Sequence, residues 1–277
     1  MARYAVNSSL VFTWIHSPDT DVLVLAIRRY PNLCKDTCLV TGVKEKRRVI
    51  PLAPIYNTLG EKKAACLPGF HALSGADVTG RFAGKGKRTF WKILKELDSD
   101  DVKVDALAQL GVAERPSEAI IDAIEAFICQ LYLPHTELTN VADVRWWLFK
   151  KKQAQSEGLP PTKAALLPAI MRAHYQAMIW YNDIIPNPEL PRPEHYGWDL
   201  VDNKFKPVTT SFPPAPDAII HLVKCECHQS HCANNMCKCR KNGLSCTGLC
   251  GCSIDSDECE NAESMALTDD EDSDNEL

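Results

Sequence analysis

The sequence contains no long hydrophobic run and no secretory leader pattern. Its longest apolar stretch, residues 22–27, has six residues, whereas a membrane-spanning helix needs about 18 or more. The N-terminus has no basic segment followed by an apolar core and a small-residue cleavage site, the three parts of a secretory signal. We therefore expect neither a secreted nor an integral-membrane protein, and no membrane partner.

Basic residues are absent from residues 255–277, where eleven acidic side chains lie. The chain as a whole has a formal charge of −5, but its first 254 residues contain 31 basic and 25 acidic groups. A mildly basic body with an acidic tail favours nucleic-acid or chromatin partners. Residues 263–277 have a composition that predicts a disordered acidic tail.

Hydrophobic periodicity predicts an α/β segment followed by a mostly α-helical region. Apolar, β-rich runs at residues 10–15, 38–43 and 47–52 predict three strands, and a helix capped by Asp19 or Thr20 is expected after the first. Apolar residues recur at helical spacing from Ile55 onward. Five more helices are predicted over residues 89–97, 102–110, 117–133, 139–153 and 162–181.

Proline is concentrated in one later segment. Eight of the 31 residues in 186–216 are proline, a composition typical of linkers and of extended segments. We expect residues 186–223 to form a linker or a segment that wraps the domain, rather than a core element.

Cysteine is concentrated even more strongly, since nine of thirteen lie between Cys225 and Cys259. Their order is C-x-C-x4-C-x4-C-x-C-x6-C-x3-C-x-C-x6-C. Without a secretory signal, such a cluster favours metal thiolates over disulfides. Three tetrahedral zinc ions have about twelve ligand positions, which nine thiolates fill if six bind one ion and three bridge two. The candidate ligands are Cys225, Cys227, Cys232, Cys237, Cys239, Cys246, Cys250, Cys252 and Cys259.

This pattern resembles a single repeat of the tesmin-type CXC domain, over residues 224–262. The resemblance implies about three bound Zn²⁺ ions and, for many members, DNA binding in the nucleus. The chain departs from the usual repeat in its longer last spacings, in its single copy, and in Met236, where DNA-binding members tend to have tyrosine. Lys238, Arg240 and Lys241 are the DNA-contact candidates here. A zinc module that serves folding alone, and a disulfide-rich knob, are the alternatives.

A second group of candidate residues is acidic. Asp19 and Asp21 follow the first predicted strand, at the edge where α/β sheets gather ligands. Asp77 follows a predicted helix, and the sequence Gly84-Lys85-Gly86-Lys87 then opens another. Backbone amides at that helix start, with Lys85, Lys87 and Arg88, would suit a DNA phosphate. Helix capping by the aspartates, and a solvated basic helix face, are the plainer interpretations.

These acidic and basic motifs resemble a PIN-like nuclease domain of the flap-endonuclease type, over residues 1–135. The resemblance implies that Asp19, Asp21 and Asp77 bind a divalent metal such as Mg²⁺, and that residues 84–87 form the glycine-rich turn of a helix–two-turn–helix. The family also uses acidic residues upstream of this pair, and no Asp or Glu precedes Asp19. We therefore expect a shortened sheet and an incomplete nuclease site, from a truncated gene or a decayed mobile element.

A narrower resemblance covers nearly the whole chain. The segments SPDTDVLVLA, LPGFHALSGAD, FAGKGK, LPPT and RAHYQAMIW resemble transposon-associated animal proteins that join such a nuclease-like domain to one CXC repeat. Under this interpretation residues 136–185 are a helical extension between the domain and the linker.

Three functions remain open at this point: a nuclear, zinc-binding, DNA-interacting protein; an active nuclease completed by a missing segment or a partner; and a scaffold that recruits proteins through its proline-rich and acidic segments. Location in the cytoplasm is the second choice.

Overall fold

A computed structural model describes residues 13–150, 158–210, 224–227, 231–246, 250–252 and 259–261. The chain divides into two compact units, Met1–Phe212 and Pro213–Leu277. The predicted acidic tail, residues 211–223 and the start of the first predicted strand lie outside the described residues. The two units are described separately below.

The first unit begins with a three-stranded mixed sheet. Strand β1 (Thr13–His16) pairs in parallel with β2 (Thr37–Thr41), and β2 pairs antiparallel with β3 (Arg48–Pro51). The crossover between β1 and β2 is helix α1 (Thr20–Arg29), as parallel pairing requires. Ile15 lies opposite Leu39, and both pack in one core with residues of α1. The three predicted strands and the helix between the first two are confirmed.

Six more helices follow within this unit. They are α2 (Leu52–Leu73), α3 (Lys87–Glu96), α4 (Val102–Gln109), α5 (Glu118–Tyr132), α6 (Val141–Lys150) and α7 (Lys163–Tyr181). Asp101, Ser117 and Thr162 cap α4, α5 and α7 by accepting hydrogen bonds from backbone N–H groups of the first turn, which explains why polar residues mark these starts. The mixed α/β fold with a mostly helical continuation is therefore confirmed. Among the described residues, no helix is long and apolar enough to cross a membrane.

The larger hydrophobic core lies among these helices. Phe90 of α3, Leu107 of α4, Phe127 of α5 and Ile170 of α7 are all fully buried in it.

Helix α2 reaches both cores. Its backbone is interrupted at Gly60, whose φ is +74°, a conformation that glycine adopts without a steric penalty. Residues before Gly60 pack in the sheet core, as do Ala64 and Leu67, whereas Phe70 and Leu73 pack in the larger core.

The proline-rich segment contains a hairpin that the sequence did not predict. Strands β4 (Trp198–Val201) and β5 (Lys204–Pro207) pair antiparallel. Asp202 and Asn203 join them with φ values of +53° and +58°, the backbone of a tight two-residue turn.

Residues beside this hairpin are packed onto the helices of the first unit. Tyr196 is 1% exposed, and its hydroxyl donates to the carbonyl of Glu114 at 2.8 Å. Its ring lies parallel to that of His174 on α7. The Arg172 guanidinium donates to the carbonyls of Gly197 and Val208 at 3.0 and 2.6 Å. Tyr196, Gly197 and Val208 are therefore held against helix α7 of the first unit.

Candidate functional site

Backbone hydrogen bonds join the short cysteine-bearing segments of the second unit. Gly251 N–H donates to the Cys225 carbonyl at 2.8 Å, and Cys246 N–H donates to the Asn261 carbonyl at 3.0 Å. A four-residue helix, α8 (Lys238–Lys241), follows Cys237, whose sulfur accepts from Arg240 N–H at 3.5 Å. These hydrogen bonds bring together residues that are up to 36 positions apart in the sequence.

The cysteine sulfurs are separated by the distances that a tetrahedral metal requires. A tetrahedral site with Zn–S bonds of about 2.3 Å has sulfur–sulfur edges of about 3.8 Å. The observed separations are 3.7 Å for Cys225–Cys232, 3.9 Å for Cys225–Cys246, 3.7 Å for Cys232–Cys246, 3.8 Å for Cys237–Cys246 and 3.6 Å for Cys239–Cys250. None of these nine described cysteines forms a disulfide. The cluster can therefore hold a metal ion.

The thiols form three overlapping groups of four, and within each group all sulfurs lie within 4.8 Å of one another. The groups are Cys225, Cys237, Cys239, Cys246; Cys225, Cys232, Cys246, Cys252; and Cys225, Cys227, Cys232, Cys237. Cys225 belongs to all three groups. The remaining predicted ligands, Cys250 and Cys259, are buried in the same cluster. The structure thus brings all nine predicted cysteines together.

Burial and the hydrogen bond from a backbone N–H have opposite effects on the pKa of a thiol in this cluster. Burial raises the pKa of Cys246 to about 12. At Cys237 burial also acts upward, but the hydrogen bond from Arg240 N–H and those from neighbouring thiols prevail and lower its pKa to about 7. The pKa of Cys259 is lowered in the same way, with burial opposed by hydrogen bonds. Metals bind the thiolate form and displace its proton, so a lowered pKa favours the ligand form of these two cysteines.

The predicted DNA-contact residues beside this cluster differ in their surroundings. Lys238 and Lys241 are exposed on α8. Arg240 is half-buried, and its guanidinium donates to the Cys232 carbonyl at 3.1 Å. Arg240 therefore helps to hold the cluster together, whereas the two lysines project into solvent.

In the first unit, the predicted carboxylates have protein partners. Asp19 caps α1 by accepting a hydrogen bond from Asp21 N–H at 3.0 Å. The Asp21 carboxylate lies 2.7 Å from Nε2 of His71, which is 4% exposed on α2. His71 is not among the site residues predicted from the sequence. The signal that could have identified it is a polar residue in an apolar helix, six residues before Asp77.

His71 connects Asp21 to one of the predicted basic residues. The Lys87 ammonium lies 3.2 Å from Nδ1 of His71. Because an ammonium group only donates, Nδ1 is the acceptor and Nε2 carries the proton that is donated to Asp21. Burial lowers the pKa of His71, and Lys87 lowers it further, against the opposing effect of Asp21. The neutral ring thus links α1, α2 and α3, with Trp180 of α7 packed against it.

The other predicted residues of this region are placed as follows. Asp77 is exposed in the loop after α2. The Lys85 ammonium lies 5.1 Å from the ring centre of Tyr132, and Arg88 is exposed on α3. In the described parts of the chain, every set of three or more candidate ligand atoms within 4.8 Å consists of cysteines. Asp19, Asp21 and Asp77 form no such set, and the Mg²⁺ site stays a prediction.

Comparison with models of known protein families, with curated proteins and with solved structures finds no match. The interpretation of both units therefore depends on the chain's own residues.

Proposed function

We propose that this chain is a zinc-binding, DNA-interacting nuclear protein derived from a mobile element, with an incomplete nuclease site. The observation that carries the zinc assignment is the set of sulfur–sulfur separations between 3.6 and 3.9 Å. Soft thiolate ligands in tetrahedral arrangement favour zinc over the harder divalent cations. The mobile-element origin depends on the sequence resemblance alone.

The overlap of the thiol groups supports more than one zinc ion. Separate tetrahedral sites for three ions would need about twelve thiolates, but only nine are present. Shared thiolates remove the shortage, and Cys225, which belongs to all three groups, is the best candidate for a bridge. A module of fewer than forty residues also has little apolar surface for a core, so bound metal is its main source of stability.

Native mass spectrometry of the full chain tests this assignment. We expect close to three zinc ions per chain. Acidification or chelation should remove all of them, and about six to nine of the released thiolates should then take up a proton. Detection of disulfides with no metal would refute the zinc assignment. A single bound zinc would refute the shared-thiolate arrangement.

DNA contact is assigned first to the two exposed lysines of α8. Lys238 and Lys241 lie beside a cluster whose three Zn²⁺ ions and nine thiolates would have a formal charge of −3, so the lysines offset part of that charge. The two ammonium groups project into solvent, where each can pair with a DNA phosphate, a contact that positions a protein without sequence readout. In the first unit, Lys87 already contacts His71 and Lys85 already lies over Tyr132, so these two are less available for DNA.

We expect DNA affinity to be dominated by counterion release. The logarithm of the binding constant for duplex DNA should fall steeply with the logarithm of salt concentration and vary little with sequence. Replacing Lys238 and Lys241 together by alanine should reduce the magnitude of that slope by about two. Fluorescence anisotropy over a salt series measures this slope.

A matched control is available on the hairpin. Lys204 and Lys206 are exposed on β5, and their joint replacement by alanine removes the same charge. The slope should then stay unchanged. An equal reduction from both double variants would contradict a site on α8. Unchanged binding by the α8 variant would move the contact to the turn at residues 84–87.

A further inference from the structure

The first unit contains a pocket that the metal cluster and the DNA-contact residues do not use. It has a volume of about 630 Å³ and lies between the loop of residues 77–83, the C-terminal end of α5, α6 and one face of α7. Organic ligands are bound in pockets of roughly 300–1,000 Å³. The pocket is therefore large enough for a small organic molecule.

Three arginines line this pocket: Arg81 of the loop, Arg145 of α6 and Arg172 of α7. Arg172 is 7% exposed and Arg145 is half-buried. The hydrogen bonds of Arg145 and Arg172 go to neutral carbonyls, those of Pro160, Gly197 and Val208. Burial lowers the pKa of both guanidinium groups, which reflects the cost of charge away from water.

Ion pairing does not neutralise these arginines. Within the described ranges, none of the three forms a salt bridge with a carboxylate. Among the described residues, one acidic side chain also lines the pocket, that of Asp77, which leaves an excess of two positive charges there. Arg81 is exposed, but Arg172 is buried and Arg145 is half-buried. Buried charges in proteins are normally paired, so these two arginines point to an anion that is supplied by a ligand. Arginine recognises phosphate through two parallel hydrogen bonds.

The remaining walls are apolar and partly aromatic. Phe82, Tyr132 and Leu159 contribute flat or apolar surface. Ala165 and Ala169 lie four residues apart on the same face of α7, and their small side chains leave the floor of the pocket open. Inorganic phosphate would occupy the arginine end and leave this apolar part in contact with water. A ligand that fits the whole pocket therefore has an anionic end and a flat ring.

From this combination we propose that the pocket binds a nucleoside 5′-phosphate. The phosphate contacts the arginines, and the base packs against Phe82 and Tyr132. Two sources share this chemistry: a free mononucleotide and the phosphorylated 5′ end of a single DNA strand. The proposal goes beyond the zinc and DNA-backbone assignments, and it does not depend on the cysteine cluster.

Isothermal titration of the full chain with 5′-AMP tests the proposal, with adenosine and inorganic phosphate as part-ligands. We expect one site per chain for 5′-AMP and at least tenfold weaker binding of either part, since each part lacks one half of the contacts. A short single-stranded DNA with a 5′ phosphate, compared with the same strand bearing a 5′ hydroxyl, distinguishes the sources. Preference for the phosphorylated strand assigns the strand end; binding of 5′-AMP alone assigns the free nucleotide.

Two variants locate the site without disturbing buried arginines. Arg81→Gln removes charge from the exposed rim, and Ala169→Leu fills the floor; each should weaken 5′-AMP at least fivefold. Arg48→Gln makes the same charge change on exposed β3, outside the pocket, and should have no effect. The proposal is wrong if the folded wild-type chain does not bind 5′-AMP, or if Arg48→Gln weakens binding as much as Arg81→Gln does. If the Cys225→Ser variant still binds 5′-AMP, the pocket does not depend on the zinc assignment.

Discussion

Replacing Cys225 by serine is expected to remove at least two zinc ions from the chain. Cys225 is the one cysteine common to all three thiol groups, and its sulfur lies within 3.9 Å of the sulfurs of Cys232 and Cys246. A bridging thiolate completes two tetrahedra at once, so its loss opens both. Under the proposed zinc assignment, bound metal supplies most of the module's folding free energy, so the second unit should also lose its structure. Native mass spectrometry and hydrogen exchange measure the two effects.

Two further variants calibrate this result. Cys259 belongs to none of the three groups, so Cys259→Ser should cost at most one zinc ion. Cys38→Ser makes the same chemical change on half-buried β2 of the first unit and should leave the zinc content unchanged. If Cys225→Ser and Cys259→Ser release the same number of ions, the bridging role of Cys225 is wrong.

Replacing Gly111 by alanine is expected to destabilise the first unit strongly. Gly111 has a φ of +83°, and an added Cβ would lie 2.3 Å from both the Ala177 carbonyl carbon and the Met178 nitrogen. These are backbone atoms of α7, which cannot move aside as a side-chain end can. The left-handed backbone and the overlap together should lower the free energy of unfolding by roughly 3–5 kcal/mol.

Urea denaturation of the full chain, followed through tryptophan fluorescence, measures this loss. Gly80→Ala is the matched control, because Gly80 has no left-handed φ and an added Cβ there meets nothing within 4 Å. The control should change the free energy of unfolding by less than about 1 kcal/mol. A Gly111→Ala protein as stable as this control would show that α7 is not held against residue 111.

Sequence reasoning succeeded where the signal was local. The sequence predicts Asp19 or Thr20 as the first cap and a helix start at residue 162, and the structure has Asp19 and Thr162 as the caps. Each of these signals lies within one helical turn. The hairpin of residues 198–207 was missed because its turn residues, Asp202 and Asn203, lie in a proline-rich stretch that favoured an extended segment. Neither turn position is a glycine, although both have positive φ, so the strongest hairpin signal was absent.

The distinction between local and long-range signals also applies to the candidate sites. The nine cysteines lie within 35 residues, so their spacing alone predicted that they act together. Asp21 and His71 are fifty residues apart and meet only because α1 packs on α2. The pocket arginines, Arg81, Arg145 and Arg172, belong to three different elements. No spacing rule relates such residues, and only the packing of the helices brings them together.

The contacts made by the segment after α7 affect how the first unit folds during synthesis. Helix α7 ends at Tyr181, but the carbonyls that accept from Arg172 lie at Gly197 and Val208, and the ring that stacks on His174 belongs to Tyr196. At 5–20 residues per second, the intervening chain takes about 1–5 s to be made. For that time this face of α7 is uncovered on the nascent chain. The first unit can therefore complete these contacts only after residue 208 has left the ribosome.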